Sequence, residues 1–233
     1  MAKVKKQSSP SATETDKSKK TKELIYSTAI ALFQEVGFEE ATMRMIAKRA
    51  GVALGSTYYY FQTKEDIVLY FYEMSQHYAK KNNEDFCKTT KDFRLRIRNI
   101  VIFRIEYFSD YSKFVSVLAN RAGDPSHRLS PFSKETAHIR NEAISIIRYA
   151  METSSQKVSK EIAIFLPELF WLYQLGIVYY WIYNSGKQNE KTIQVVDESL
   201  NLIFRLVRIS NLPLLKSVFS SLFKLIRLIR DGK

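Results

Sequence analysis

The chain has 233 residues, 45% of them apolar and 13% aromatic, enough to bury one large domain or two modest ones. Seven Gly and five Pro are too few for the many turns of an all-β architecture, and a single cysteine, Cys87, excludes an intrachain disulfide and suits a reducing cytoplasm. The net charge of +12 is unevenly spread: the first 20 residues carry six Lys against Glu14 and Asp16, whereas residues 21–80 balance six basic against seven acidic side chains. Charge alone therefore marks no polyanion-binding surface, and local geometry has to do so.

In chain order, residues 1–20 are rich in Lys, Ser and Thr and nearly free of apolar groups, so they read as a disordered basic arm without the apolar core of a secretion signal. A helical period follows: Ile25, Ala29, Leu32, Phe33 and Val36 share one face of a helix over 22–36, and Gly37 stands where a left-handed cap is wanted. Thr42 suits the N-cap of a short helix over 43–50 that turns Ile46 and Ala47 inward. Gly51 permits a sharp turn into a third helix over about 54–60, and Lys64-Glu65-Asp66 opens a fourth over 64–80.

This arrangement predicts a helix-turn-helix. Ala47 and Ala50 are small enough for the second and third helices to cross closely, while Val52 and Phe61 anchor the third to the core. Its other face, with Leu54, Gly55, Ser56 and Tyr58, is then available to a DNA major groove about 12 Å wide. Three adjacent tyrosines, Tyr58-Tyr59-Tyr60, cannot all be core on one short helix, because successive side chains point about 100° apart.

The run TMRMIAKRAGVALGSTYYYFQTKEDIV at 42–68, preceded by ALFQEVGF at 31–38, resembles the DNA-binding region of the tetracycline-repressor family of bacterial regulators. The resemblance implies that Thr42 meets a phosphate while capping its helix, and that Arg44 reaches toward guanine. It further implies that Leu54, Gly55 and Ser56 face base edges or nearby phosphates. Tyr58 would donate to a phosphate, Tyr59 would lie near the backbone or groove, and Lys64 would meet a further phosphate. Two positions depart from the family pattern: Ala53 removes a side-chain N-cap from the third helix, and Thr57 replaces an apolar residue, which loosens its packing.

Beyond residue 80, helices are expected at about 91–109, 111–121, 134–153, 160–185, 190–210 and 213–230, with a loop at 123–131. The apolar run at 162–183 is long enough to span a bilayer, but Pro167, Glu168 and Gln174 oppose that. A helix apolar on every side also suits a dimer interface. The next helix adds a stripe of Ile193, Val196, Leu200, Ile203, Phe204 and Val207, so two helices from each subunit would form a four-helix bundle. Leu175, Tyr179, Leu200, Ile203 and Val207 are the expected interface residues. The last helix is basic and amphipathic, fitting either a packed stripe or a membrane surface, with packing favoured.

The overall expectation is an all-α chain: an arm at 1–20, a helix-turn-helix domain at 21–80 and a larger ligand-binding and dimerisation domain at 81–233. The resemblance implies a homodimeric repressor of a double-stranded, palindromic operator, released by a small molecule, and the aromatic supply of the second domain predicts that this effector is hydrophobic or aromatic. The resemblance also implies a cavity in the second domain, for which Phe103, Tyr107, Phe114, Tyr149 and Trp171 are candidate lining residues. Arg104 and Glu106 are candidate polar groups there, although solvent-facing positions are favoured for both. The rival readings are an architectural protein that coats DNA through its basic arm and positive body, and a membrane-attached enzyme or scaffold. His77, His127 and His138 are too dispersed for a metal cluster, no phosphate loop or nucleophile motif occurs, and no enzyme activity or cofactor is expected.

Overall fold

The computed structural model describes residues 16–184 and 189–209, which form ten helices and, among the described residues, no strand. They are α1 (Asp16–Glu35), α2 (Met43–Ala50), α3 (Leu54–Tyr60), α4 (Lys64–Thr89), α5 (Phe93–Ser109), α6 (Ser112–Ala122), α7 (Ala137–Glu152), α8 (Lys160–Ala163), α9 (Leu166–Tyr183) and α10 (Asn189–Ile209). The chain is all-α, as its periodicity predicted. No helix among the described residues is long and apolar enough to cross a membrane. The helix expected at 213–230 lies outside the described residues, as does the arm at 1–15.

Two compact units emerge, Met1–Ile67 and Val68–Lys233. The first is built on Ile25, Ala29, Leu32 and Phe33 of α1, which close over Phe38, Ile46, Ala47, Phe61 and Ile67, all buried. Phe33 and Phe38 meet edge to face with centroids 5.1 Å apart. Gly37 (φ 90°) and Gly51 (φ 65°) occupy the left-handed region where a side chain would be strained. Helix α1 begins at Asp16, so the last residues of the expected arm are helical. The Ser18 hydroxyl lies 3.1 Å from the Tyr60 hydroxyl, and Asp16 complements the N-terminal dipole.

In the second unit, Phe71 is ringed by Tyr107, Phe108, Tyr111 and Phe114, with centroids 5.2–6.0 Å away. Helix α10 returns along α5, where Phe93 and Phe170 pack on Phe204 and the Arg98 guanidinium pairs with Asp197. Arg96 is fully buried and donates to the carbonyls of Cys87, Thr90 and Ala150 and to the Thr153 hydroxyl at 2.8–2.9 Å, tying the ends of α4 and α7 to α5. Residues 160–185 do not form the single helix expected. Pro167 lacks an N–H and is tolerated only in a first turn, so the chain breaks after α8 and α9 restarts with Pro167 there.

Candidate DNA-binding face and effector cavity

Local rules build the helix-turn-helix. The Thr42 hydroxyl accepts the Met45 N–H at 3.2 Å, capping α2 and leaving its own proton to donate outward. Gly51 ends α2 by donating to the Ala47 and Lys48 carbonyls. Ala53 provides no side-chain cap for α3. Thr57 is completely buried, and its hydroxyl has no hydrogen-bond partner. An orphaned buried hydroxyl costs roughly 1–3 kcal/mol. Thr57→Val should therefore raise stability by about 1 kcal/mol, read as a melting temperature a few degrees higher with operator affinity unchanged. A lower melting temperature would show that the hydroxyl has a partner in solution.

The outer face of this unit is polar and aromatic. Arg44 is exposed and makes no hydrogen bond or ion pair among the described residues. Tyr58 and Tyr59 are 47% and 80% exposed, large values for side chains of this apolar area. Gly55 is exposed, and Leu54 and Ser56 are half-buried on the same short helix. Tyr60 turns back toward α1, and Phe61 enters the core. Arg49, also on α2, is occupied by Glu35, which lowers that carboxyl's pKa through their hydrogen bond. Lys64, expected at a phosphate, donates its ammonium to the carbonyls of Phe38 (2.6 Å) and Glu39 (2.9 Å) and holds it 4.7 Å from the centroid of the Phe38 ring. At the start of α4, the Asp66 carboxylate accepts the Thr63 N–H while the Thr63 hydroxyl accepts that of Asp66, a reciprocal cap.

The second unit contains a cavity of about 130 Å³. Phe71, Phe108, Leu118, Ile139, Trp171 and Val178 are among its apolar wall residues, with Tyr72, Ser75, Gln76, Arg104, Arg140 and Gln174 among those supplying polar groups. Of the aromatic residues expected there, Trp171 lines it. Phe114 is instead buried against Phe71, Phe103 and Tyr107 stack on each other, and Tyr149 is 46% exposed, so none of these four contributes to the wall. Burial pushes the Tyr72 phenol's pKa up, and it stays neutral and able to donate.

Sequence reasoning favoured a solvent-facing Arg104, but the residue is buried. It is 3% exposed, donating from one Nη to Ser75 Oγ and from the other to Gln76 Oε1, both at 2.7 Å, while its Nε has no partner. Burial pushes its pKa down to about 10, leaving it charged at neutral pH. Glu106 is exposed, in line with the favoured position. Leu175 and Tyr179, expected at a dimer interface, line the cavity, and Leu200 and Val207 are buried within their own unit, because the main apolar stripe of α10 is consumed by α5 and α9. Ile203 is half-buried. Among the described residues of α9 and α10, the large apolar side chains left exposed are Leu169, Leu172, Tyr183, Leu202 and Leu206.

A helix-turn-helix with a capped first helix and an uncommitted outer face, followed by a unit whose described elements are all helices around an apolar cavity, defines the class of helix-turn-helix transcriptional regulators. Residues 25–71 match the family described as bacterial regulatory proteins, tetR family, and residues 96–224 match the family described as tetracyclin repressor-like, C-terminal domain. The chain belongs to the tetracycline-repressor family. It is 31% identical over 102 residues to the uncharacterized HTH-type transcriptional regulator YerO of Bacillus subtilis (strain 168), a match spanning 42% of this chain and 34% of that relative's length. Its fold is similar to that of FadR from Bacillus subtilis in complex with stearoyl-CoA (TM-score 0.59, 16% identity, 77% of this chain and 96% of that one). It is also similar to the fatty acid degradation regulator FadR from Bacillus halodurans (0.57, 16%, 78% and 93%) and to Thermus thermophilus FadR in complex with lauroyl-CoA (0.54, 18%, 77% and 92%).

Proposed function

We propose that this transcriptional regulator is a homodimeric repressor that leaves a near-palindromic operator when an apolar small molecule enters the cavity of its second unit. The observation that carries this reading is the apolar cavity itself, whose polar groups are few enough to orient a guest without making the site hydrophilic. The first unit serves as the DNA-binding domain, with Thr42, Arg44, Leu54, Gly55, Ser56, Tyr58 and Tyr59 as its contact set. Two such units would meet successive major grooves about 34 Å apart. The exposed leucines of α9 and α10 support a two-fold interface, since unpaired apolar faces on neighbouring helices favour a bundle between copies.

An acyl chain is one apolar body of the kind this cavity suits, and two proteins of similar fold hold acyl-CoA. A ligand that binds only the folded state raises the melting temperature, by an amount set by its concentration relative to Kd. Thermal shift with a mixed set of alkyl, aromatic, sugar and nucleotide compounds should therefore select the alkyl and aromatic ones. The selected compounds should release operator DNA in an anisotropy assay. Stabilisation by sugars, nucleotides or metal ions alone would overturn the apolar-effector reading.

A further inference from the structure

We infer that the effector carries a carboxylate, and that Arg104 is the group that receives it. This rests on the proposed apolar-effector cavity and specifies the chemistry of its guest. Two arginines, Arg104 and Arg140, line the cavity, and among the described residues no Asp or Glu does. Arg140 is half-buried and its guanidinium donates to the carbonyls of Pro131 and Ser133, which hold it without neutralising it. Arg104 lies deeper, and its recipients are a hydroxyl and an amide oxygen, both uncharged. A guanidinium carries five N–H donors; the two hydrogen bonds to Ser75 and Gln76 leave Nε–H and others without a recipient.

Arg96 provides the contrast within the same helix. Both guanidiniums are buried, but Arg96 spends Nε, Nη1 and Nη2 on the protein's own oxygens and lines no part of the cavity. It is a structural cation. Arg104 lines the cavity with a charge that only uncharged oxygens receive and with a buried Nε that has no partner, so a carboxylate in the cavity would supply the missing counter-charge through charge-assisted hydrogen bonds. Burial also pushes its pKa down, the direction expected of a buried cation whose recipients are uncharged. The phenol of Tyr72, kept neutral, stands in the same wall as a further donor. The remaining wall is apolar, so the guest is an amphipathic acid, with an alkyl or aryl body and one carboxylate, rather than a neutral hydrocarbon or a cation.

Matched acid and alcohol pairs test this on the full chain: laurate against dodecanol, and naphthoate against naphthol, each below its aggregation concentration. In the unaltered protein at neutral pH, the better acid should bind at least ~10-fold more tightly than its alcohol, by calorimetry or thermal shift. Arg104→Met should lose that preference yet still bind the alcohol, and Arg104→Lys should restore part of it. Equal binding of acid and alcohol by the unaltered protein would overturn the carboxylate assignment and leave the apolar cavity standing. So would an undiminished preference in Arg104→Met. Failure of every acid and every alcohol to bind would overturn both. The comparison within the unaltered protein needs no variant, so a folding defect in Arg104→Met does not obstruct it.

Discussion

Leu202→Glu combined with Leu206→Glu should convert the proposed dimer into folded monomers and lower operator affinity by about 10²–10⁴-fold. Both side chains lie on the outer face of α10, 59% and 46% exposed, so a carboxylate at either position stays in water when the protomer stands alone. Across a two-fold bundle the same carboxylates would be buried without partners, which is expensive. A monomer contacts one half-site at a time and loses the high effective concentration that tethering gives the second contact, which sets the size of the expected loss. Leu172→Glu on α9 should act in the same direction. Leu200→Glu behaves differently: Leu200 is fully buried in its own protomer, so that variant should unfold rather than dissociate. Sedimentation that finds an intact dimer for the double variant would place the interface elsewhere.

The contrast between Leu200 and Leu202 also shows where sequence reasoning reaches and where it stops. The period through Ile193, Val196, Leu200, Phe204 and Val207 correctly marks a helix with a strong apolar stripe. A stripe, however, does not say whether it packs on its own subunit or on another. Phe93 and Phe170 occupy the space against Phe204, so the stripe is internal and only the weaker, opposite face remains for a partner. Arg104 was legible in principle. Ile97, Val101, Arg104 and Phe108 follow i, i+4, i+7 and i+11, which puts the arginine on the inner face of α5, and a charge amid that stripe was the available signal. The cavity's membership was not legible, because it depends on how α4, α6, α7 and α9 leave space between them. Several of its polar groups, Tyr72, Ser75 and Gln76, come from a helix that the sequence assigned to DNA binding. The helix-turn-helix was the most legible part, since caps, the left-handed Gly51 and the short element lengths are local properties.

Arg44→Ala should relax base preference at one position in each half-site and cost ~1–3 kcal/mol there. A dimer uses the residue twice, so the whole-operator loss should fall between ~30-fold and ~10⁴-fold. Arg44 is suited to this because α2 holds it exposed with no ion pair among the described residues, whereas Arg49 on the same helix is engaged with Glu35. Tyr58→Phe should instead weaken binding to all sequences alike and leave the salt dependence unchanged, since it removes a hydroxyl contact and no charge. Lys64 separates a phosphate contact from a structural role. If its ammonium meets a phosphate, Lys64→Ala lowers the slope of log affinity against log salt by about one per half-site. With that ammonium held on the Phe38 and Glu39 carbonyls, the expected result is a lower melting temperature and an unchanged slope. Binding titrations of the three variants on the operator, on singly substituted operators and on unrelated duplex, each at several salt concentrations, distinguish these outcomes. A loss for Arg44→Ala that is equal on every sequence would remove Arg44 from the base-reading set.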